Sequence, residues 1–488
     1  MTIKASEKEK IEIAITTAKM NSDNYINVRK DDLQKALDEE FKGQEITVND
    51  NEDETYTIII DENQRKYTIE EDGTLTEGEY NKWNGIDSVE PTEKTSNEIH
   101  IYTAAQLKWL ANQVNNEGIL FEGYIIYLEN NLDFRARNRN GSWENELNEA
   151  LKWIPIGKEK TALFEFDGKS HIIKGLYVNE TTNQSGIFGN SNTIRNVTIK
   201  NSYIKGTNCV GGIIGALRSG IIDNCHNENT TVISTGYICG GIVAQSLGDK
   251  ILNCSNNGEI MANGTNTGGV SYAGGIAGSS YYSSIYNCNN IGKVMGVGHQ
   301  VGGITSTQGY KNKITELKGC YNKGEIIAIN GQSVGGIAGC TVGTVTVSNS
   351  YNMAYVQALE GAGGIIGESK NSGNDLNIDF CYNGGKVEGN SDLGGIIGYI
   401  RRKTKISNCY NKGKIKYKGT EKRSGEIIGT VSTNELNIFK CYYLKNEDNN
   451  SGIGCVADGI DLEQQINEIQ ITNVDNNSYE EFLSWIEE

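Results

Sequence analysis

Residues 320–339, CYNKGEIIAINGQSVGGIAG, are written again and again along this chain. The stretch has two anchors, a Cys-x-Asn triplet at Cys320 and a Gly-Gly-Ile triplet at Gly335, with a short β-rich run between them. The cysteine anchor recurs at Cys225, Cys254, Cys288, Cys320, Cys381, Cys409 and Cys441, with Ser350 in the same column. Two positions on stand Asn227, Asn256, Asn290, Asn322, Asn352, Asn383 and Asn411. Six positions on stand Ile260, Val294, Ile326, Val356, Val387 and Ile415. The glycine anchor starts at Gly211, Gly240, Gly274, Gly302, Gly335, Gly363 and Gly394, and a worn copy at Gly425 reads GEIIG.

A period that stays at about 30 residues means a solenoid, a propeller or an array. Each repeat is rich in Ile, Val, Tyr and Thr, is broken by Gly and Asn, and holds no helical periodicity of useful length. A four-stranded propeller blade needs about 40 residues or more. The period therefore predicts a mainly β chain. Its fold is a parallel β-helix, one repeat per coil, each coil made of three short strands and its turns, with coils about 4.8 Å apart.

Stacked coils place equivalent residues above one another, which explains the columns. Cysteine and the Ile/Val column point inward and bury a thin apolar core. The asparagines are expected in left-handed turns, passing amide hydrogen bonds up the stack. The paired glycines are expected to supply turn conformations closed to other residues. An outward column supports the register: Glu259, Lys293, Glu325, Tyr355, Lys386 and Lys414, whose first three members alternate in charge.

The GGIIG and GGIAG motifs and the NCYNKG signature at 408–413 resemble the GLUG repeat of bacterial surface proteins. The resemblance covers roughly residues 99–455. Some carriers of that repeat are adhesins and others are large immunoglobulin-cleaving metallopeptidases. Trp153-Ile154-Pro155-Ile156-Gly157 and Phe166-Asp167-Gly168 match the lead-in usual before such repeats. Val197 takes the cysteine column one period before Cys225.

Composition narrows the classes. Glycine is high at 59 and proline low at 2, with no collagen period. No run of 18 apolar residues is present as given. The net charge of −17 is concentrated: residues 31–98 hold 21 acids and 6 bases. So acidic a chain is a poor general nucleic-acid binder, and no specific nucleic acid is expected as a partner. Of the 11 cysteines, eight belong to periodic columns, seven at the anchor and Cys239 beside a Gly-Gly pair. Stacked side chains run parallel, which is poor disulfide geometry, so a ladder of free buried thiols is expected. With no CxxC pair and no clustered histidines, neither a metal nor a cofactor is expected.

Four regions follow: 1–82, a small α+β unit; 83–98, a polar linker with Pro91; 99–455, the β-helix; and 456–488, a C-terminal cap. In the first, 5–20 and 30–41 read as helices, with Ile11, Ile15 and Ala18, then Leu33, Leu37 and Phe41, facing inward. Strands follow at 45–49, 55–61 and 66–70, with Gln64-Arg65 in the turn between the last two. This order, with its DDLQKALDEEF helix and YTI…YTIEEDG strands, resembles the ectodomain of type IV pilin-like proteins from Gram-positive bacteria. That resemblance implies a minor pilin, pilus subunits as partners, and a preceding hydrophobic anchor helix missing from this sequence. A helix from Thr103, with Leu107, Leu110, Ala111 and Val114 on one face, is the natural cover for the first coil. Strands are expected at 124–128 and 171–178, a loop at 135–150, and a capping helix at 478–488.

Chemistry is sparse. None of His100, His171, His226 and His299 is followed by glutamate, so the HExxH metallopeptidase motif is absent. Glu259 and Glu325 share a column with Lys293 between them, and Asp375 and Asp379 lie close in sequence. Neither makes a convincing acid/base pair. One stretch departs from the pattern: residues 401–423 carry ten bases against one acid, Glu421. Arg401, Arg402, Lys403 and Lys405 read as a turn with its following strand, and Lys412, Lys414, Lys416 and Lys418 as one outward face. Together they are the candidate ligand-binding patch, for an anionic ligand such as host glycans, teichoic acid or, without sequence specificity, DNA, the expected partner being a host or surface glycan or protein. The alternative is a solvated edge that discourages stacking of chains. The sequence points to a cell-surface or pilus-associated adhesin without enzymatic activity. An extracellular glycan-active enzyme and a purely structural filament subunit remain as the other readings.

Overall fold

The structure is a computed structural model. It describes residues 2–20, 30–42, 45–50, 56–60, 65–69, 75–77, 80–134, 151–181, 183–248, 250–265, 270–310, 313–370, 375–420, 423–444, 451–460, 462 and 469–474. The expected loop at 135–150 and capping helix at 478–488 lie outside these residues.

The first unit has its own core. Helix α1 (Thr2–Met20) buries Ile11, Ala14, Ile15 and Ala18, and helix α2 (Lys30–Glu40) buries Leu33, Ala36 and Leu37. Both pack with a four-stranded antiparallel sheet, β1 (Ile46–Asp50), β2 (Tyr56–Ile60), β3 (Arg65–Ile69) and β4 (Leu75–Glu77). The Gln34 amide of α2 completes the edge of β1, donating to Ile46 O at 3.0 Å and accepting from Val48 N at 2.9 Å. Two details differ from the sequence reading. Arg65 lies in β3, paired with Ile60, rather than in the turn, and β4 adds a fourth strand. Leu75 supplies that strand's inward residue, but so short a strand leaves no alternation to read.

The rest of the described chain is a parallel β-solenoid of about 11 turns with roughly 30 residues per coil. Each coil contributes to three ladders. One nine-stranded parallel ladder runs from Tyr177–Asn179 to Ile415–Tyr417, and a second from Gln184–Ser185 to Ser424–Gly425. The third face is broken within a coil into Ile214–Arg218, Ile221–Asp223 and His226–Glu228, each stacked on its equivalent in the next coil. A coil thus holds five strand segments rather than three. The extra breaks come from tight turns such as Ser219 (φ 55) and Asn224 (φ 51). The expected strand at 171–178 is likewise divided, into Ala162–Lys174 and Tyr177–Asn179.

The core columns are as the periodicity requires. Ile260, Val294, Ile326, Val356, Val387 and Ile415 pair in register and are buried. The anchor cysteines are buried and free. Each of Cys225, Cys288, Cys320, Cys381, Cys409 and Cys441 places its thiol between two backbone carbonyls, one two residues back in its own coil at 3.1–3.6 Å and one of the coil below at 3.6–3.9 Å. Burial pushes the thiols of Cys225, Cys254, Cys288 and Cys409 well above the ordinary range, which makes them inert hydrophobes.

Asparagine occupies two columns, which the sequence reading merged. Asn224, Asn253, Asn287, Asn349 and Asn408, each just before the anchor, take the left-handed conformation, with φ between 49° and 53°. The inner column, two positions after the anchor, has ordinary φ and carries the amide ladder. Asn256 donates to Asn290 at 2.7 Å, Asn290 to Asn322 at 2.8 Å, Asn322 to Asn352 at 2.8 Å, Asn352 to Asn383 at 2.9 Å and Asn383 to Asn411 at 2.8 Å. All six are fully buried. Each also closes its own turn, as Asn322 does by donating to Gly324 O at 2.9 Å and accepting from Gly324 N at 3.3 Å.

The glycine anchor owes its identity to this ladder. The second glycine of each pair does not have positive φ, contrary to the expectation of a special turn. What excludes a side chain is space. A Cβ on Gly336 would stand 2.1 Å from Gly364 O and 2.4 Å from Asn352 Cγ; on Gly395, 2.1 Å from Glu426 O and 2.2 Å from Asn411 Cγ. In the last full coil Tyr443 takes the asparagine position and Glu426 the glycine position. Glu426 is buried and accepts from Asn411 Nδ2 at 3.1 Å, so GEIIG is the ladder's terminus rather than a worn copy.

The first coil is covered as expected. Helix α3 (Ala104–Asn112) begins at Thr103, whose hydroxyl accepts from Gln106 N while the Gln106 side chain reaches back to Thr103 N, a capping box. Its buried face, Leu107, Leu110 and Ala111, continues to Val114 and joins the solenoid core. Tyr80–Lys82 pairs in parallel with Asn131–Asp133, and Trp83 packs edge-on against Phe134 (5.3 Å) and Trp153 (6.3 Å). Residues 83–98 hold backbone bonds to the solenoid, such as Val89 N to Ala105 O at 3.0 Å.

Replacing Asn322 by alanine strands a buried donor on Asn290, a buried acceptor on Asn352 and both groups of Gly324. At about 1–3 kcal/mol for an unpaired buried group, the expected loss is about 3 kcal/mol or more. Asn227 sits at the open end of the ladder, where its Oδ1 has no partner among the described residues. Chemical denaturation should therefore show a large fall in midpoint for Asn322→Ala and a clearly smaller one for Asn227→Ala.

Candidate functional site

The basic residues singled out from sequence lie on the coils that end the first and second ladders, and they meet different surroundings. In the final strand of the first ladder, Ile415–Tyr417, Ile415 points into the core, and Lys414, Lys416 and Lys418 are exposed, as alternation demands. Lys412, in the preceding turn, is half-buried.

The lysines gather around a carboxylate that the sequence reading passed over. Glu388 pairs in register with Lys416 and is 5% exposed. It forms ion pairs with Lys386 and Lys418, and its Oε2 lies 3.8 Å from Lys416 Nζ. Burial alone would push its carboxyl up. Hydrogen bonds from Lys386, Lys418 and Tyr355 outweigh burial and hold it down at about 2. The signal for Glu388 was present in the sequence, since it stands one repeat upstream of Lys416.

The Arg401–Lys403 turn divides further. The Arg401 guanidinium lies 3.9 Å from the centroid of the Tyr399 ring and its Nε donates to Glu368 Oε1. Arg402 is buried; it donates to Gly343 O and, at 3.0 Å, to Thr341 Oγ1, and burial lowers its guanidinium to about 10. Arg402 is therefore a brace between coils and does not face a ligand. Lys403 pairs with Asp375 at 3.0 Å. Lys405 and Lys414 are exposed, and no carboxylate among the described residues lies within ion-pair distance of either.

Two of the carboxylates considered for acid/base chemistry, Asp375 and Asp379, are occupied. Asp375 holds Lys403, and Asp379 accepts from Ser407 Oγ at 2.8 Å and Asn408 Nδ2 at 2.9 Å. Lys293 lies 4.0 Å from Glu325. His100 stacks on Tyr127 with its Nδ1 2.6 Å from Glu129, and His226 bridges Ser255 and Asn224. His171 contacts Asn131 at 3.2 Å. Among the described residues, no group of three His, Cys, Asp or Glu side chains is placed to hold a metal ion.

No protein-family model matches the chain, and no curated protein does. Among solved structures, the chain resembles a Bacteroides ovatus protein described as a "putative immunoglobulin A1 protease". The two share 18% identity over 78% of this chain and 89% of that one, with a TM-score of 0.32. A likeness so distant carries no argument about activity.

The depressed Glu388 carboxyl makes a pH prediction. Its charged form stabilises the fold fully above the ordinary carboxylate value of 4.5, and that contribution is lost as pH falls toward about 2. Acid titration of denaturation midpoints should show a fall over this window that is reduced in Glu388→Gln, while the two proteins keep a constant difference above about pH 6.

Proposed function

We propose that this protein is a non-enzymatic adhesin of a bacterial cell surface or pilus, which presents a stiff β-helix to anionic ligands on a host or another surface. The observation that carries the reading is the pair of exposed lysines, Lys405 and Lys414, left without a described carboxylate on coils where most other bases are matched. Unmatched cations on a side-chain-filled stack attract an anionic partner without needing a pocket. In this reading the N-terminal unit, which has a core of its own, joins the solenoid to a filament or membrane as a minor pilin would.

A glycan array probed at low and physiological salt tests the proposal. Binding to acidic but not neutral glycans, weaker at higher salt and reduced several-fold in a Lys405→Glu/Lys414→Glu variant, is the expected result. Absence of binding to every acidic glycan at both salt concentrations would overturn it in favour of a structural filament subunit.

A further inference from the structure

Where the second ladder meets the third face, two arginines converge on one aromatic ring. Arg401 lies over Tyr399 at 3.9 Å and Arg423 stands 6.0 Å from the same centroid. Each is tethered by one carboxylate through one nitrogen. Arg401 uses Nε toward Glu368 Oε1, and Arg423 uses Nη2 toward Asp392 Oδ1 at 2.8 Å.

The tethers are themselves held. Glu368 accepts from Ser333 through its other oxygen, and Asp392 accepts from Thr430. Ser333 (φ 66) and Asp392 (φ 56) both occupy the left-handed conformation, which non-glycine residues rarely adopt. Glu368 and Tyr399 are register partners on adjacent coils, so the assembly is built into the stack.

What remains unpaired decides the reading. Neither Nη1 nor Nη2 of Arg401 has a partner among the described residues, although the side chain is 44% exposed. Arg423 Nε is buried with no partner among the described residues and lies out of a ligand's reach, so only the tip of its guanidinium can meet one. A bracing role explains the nitrogens that meet Glu368 and Asp392. It does not explain two guanidinium groups brought to one ring with their other donors left over. Planar donor pairs of this kind match a planar carboxylate, which accepts two parallel hydrogen bonds.

We infer that Arg401 and Arg423, oriented by Tyr399, form a binding site for the carboxylate of an acidic sugar, such as a uronate residue. This deepens the adhesin proposal and rests on it. The lysines on the neighbouring first ladder supply long-range attraction, while the arginine pair supplies recognition of the acid group.

Calorimetry on the full chain tests this with three probes: oligogalacturonate, the same oligomer as its methyl ester, and a sulfated oligosaccharide. Wild type should bind oligogalacturonate and not its ester. Arg401→Lys keeps the charge and the pairing with Glu368 but loses the fork. It should weaken binding about tenfold, the difference expected when one bidentate pair becomes a point contact. Arg401→Gln/Arg423→Gln should abolish binding, and Lys318→Gln, at an exposed lysine outside the patch, should change it by no more than about threefold at physiological salt. Circular dichroism melting of each variant reports whether the coils remain folded, and Arg401→Lys, which retains the brace, carries the test if the double variant does not fold. Oligogalacturonate binding unchanged in Arg401→Lys would overturn the arginine site while leaving the adhesin reading intact. Binding of the sulfated probe alone would overturn the carboxylate assignment. Wild type that binds none of the acidic probes would remove the adhesin reading and this inference with it.

Discussion

An asparagine amide carries a donor and an acceptor on one planar group, so a column of asparagines at coil spacing can satisfy itself without water. That requirement organises the solenoid. Asn256 through Asn411 pass one hydrogen bond per coil along the stack, and each also closes its own turn. An unpaired buried polar group is costly, so one coil cannot slide on the next without the penalty of stranding several donors and acceptors. The glycine pairs follow from the ladder, because the amides occupy the volume a Cβ would need. The thiol column follows from the same economy of space, since cysteine is small, apolar when buried, and able to point a weak donor at a carbonyl.

The fold was legible in the sequence because stacking turns geometry into columns. The period gave the coil, the Ile/Val and Cys columns gave the core, and Thr103 gave the start of the covering helix. What the sequence hid were distinctions between residues of one type. Two asparagine columns three positions apart differ in backbone and burial, the outer left-handed with inter-coil amide bonds such as Asn224 to Asn196, the inner forming the fully buried ladder, and residue identity does not separate them. Glycine likewise reads as conformational freedom or as empty space, and only the distance from Gly336 to Asn352 decides between these. The change at Glu426 reads as decay in the sequence, yet it ends the ladder with an acceptor.

The candidate site was legible in part. Counting bases found the lysine strand, but a count ignores which acids stand one coil away. Glu388, Asp375 and Glu368 each lie about one repeat upstream of the base they hold, so reading the repeats side by side recovers the pairs. Arg402 reads as a surface cation because it falls in an expected turn, whereas its side chain turns into the stack toward Thr341. The surface that remains is a lattice of inter-coil pairs with a few donors left unmatched.

The ladder is the central claim, and its own protons report on it most directly. With asparagine selectively labelled with nitrogen-15, side-chain amide exchange with solvent can be followed in the folded protein. Six slowly exchanging side-chain amides, assigned to Asn256, Asn290, Asn322, Asn352, Asn383 and Asn411 by single substitution, are predicted. If those side chains exchange as rapidly as exposed asparagines, the ladder does not exist and the register must be held by the apolar columns alone.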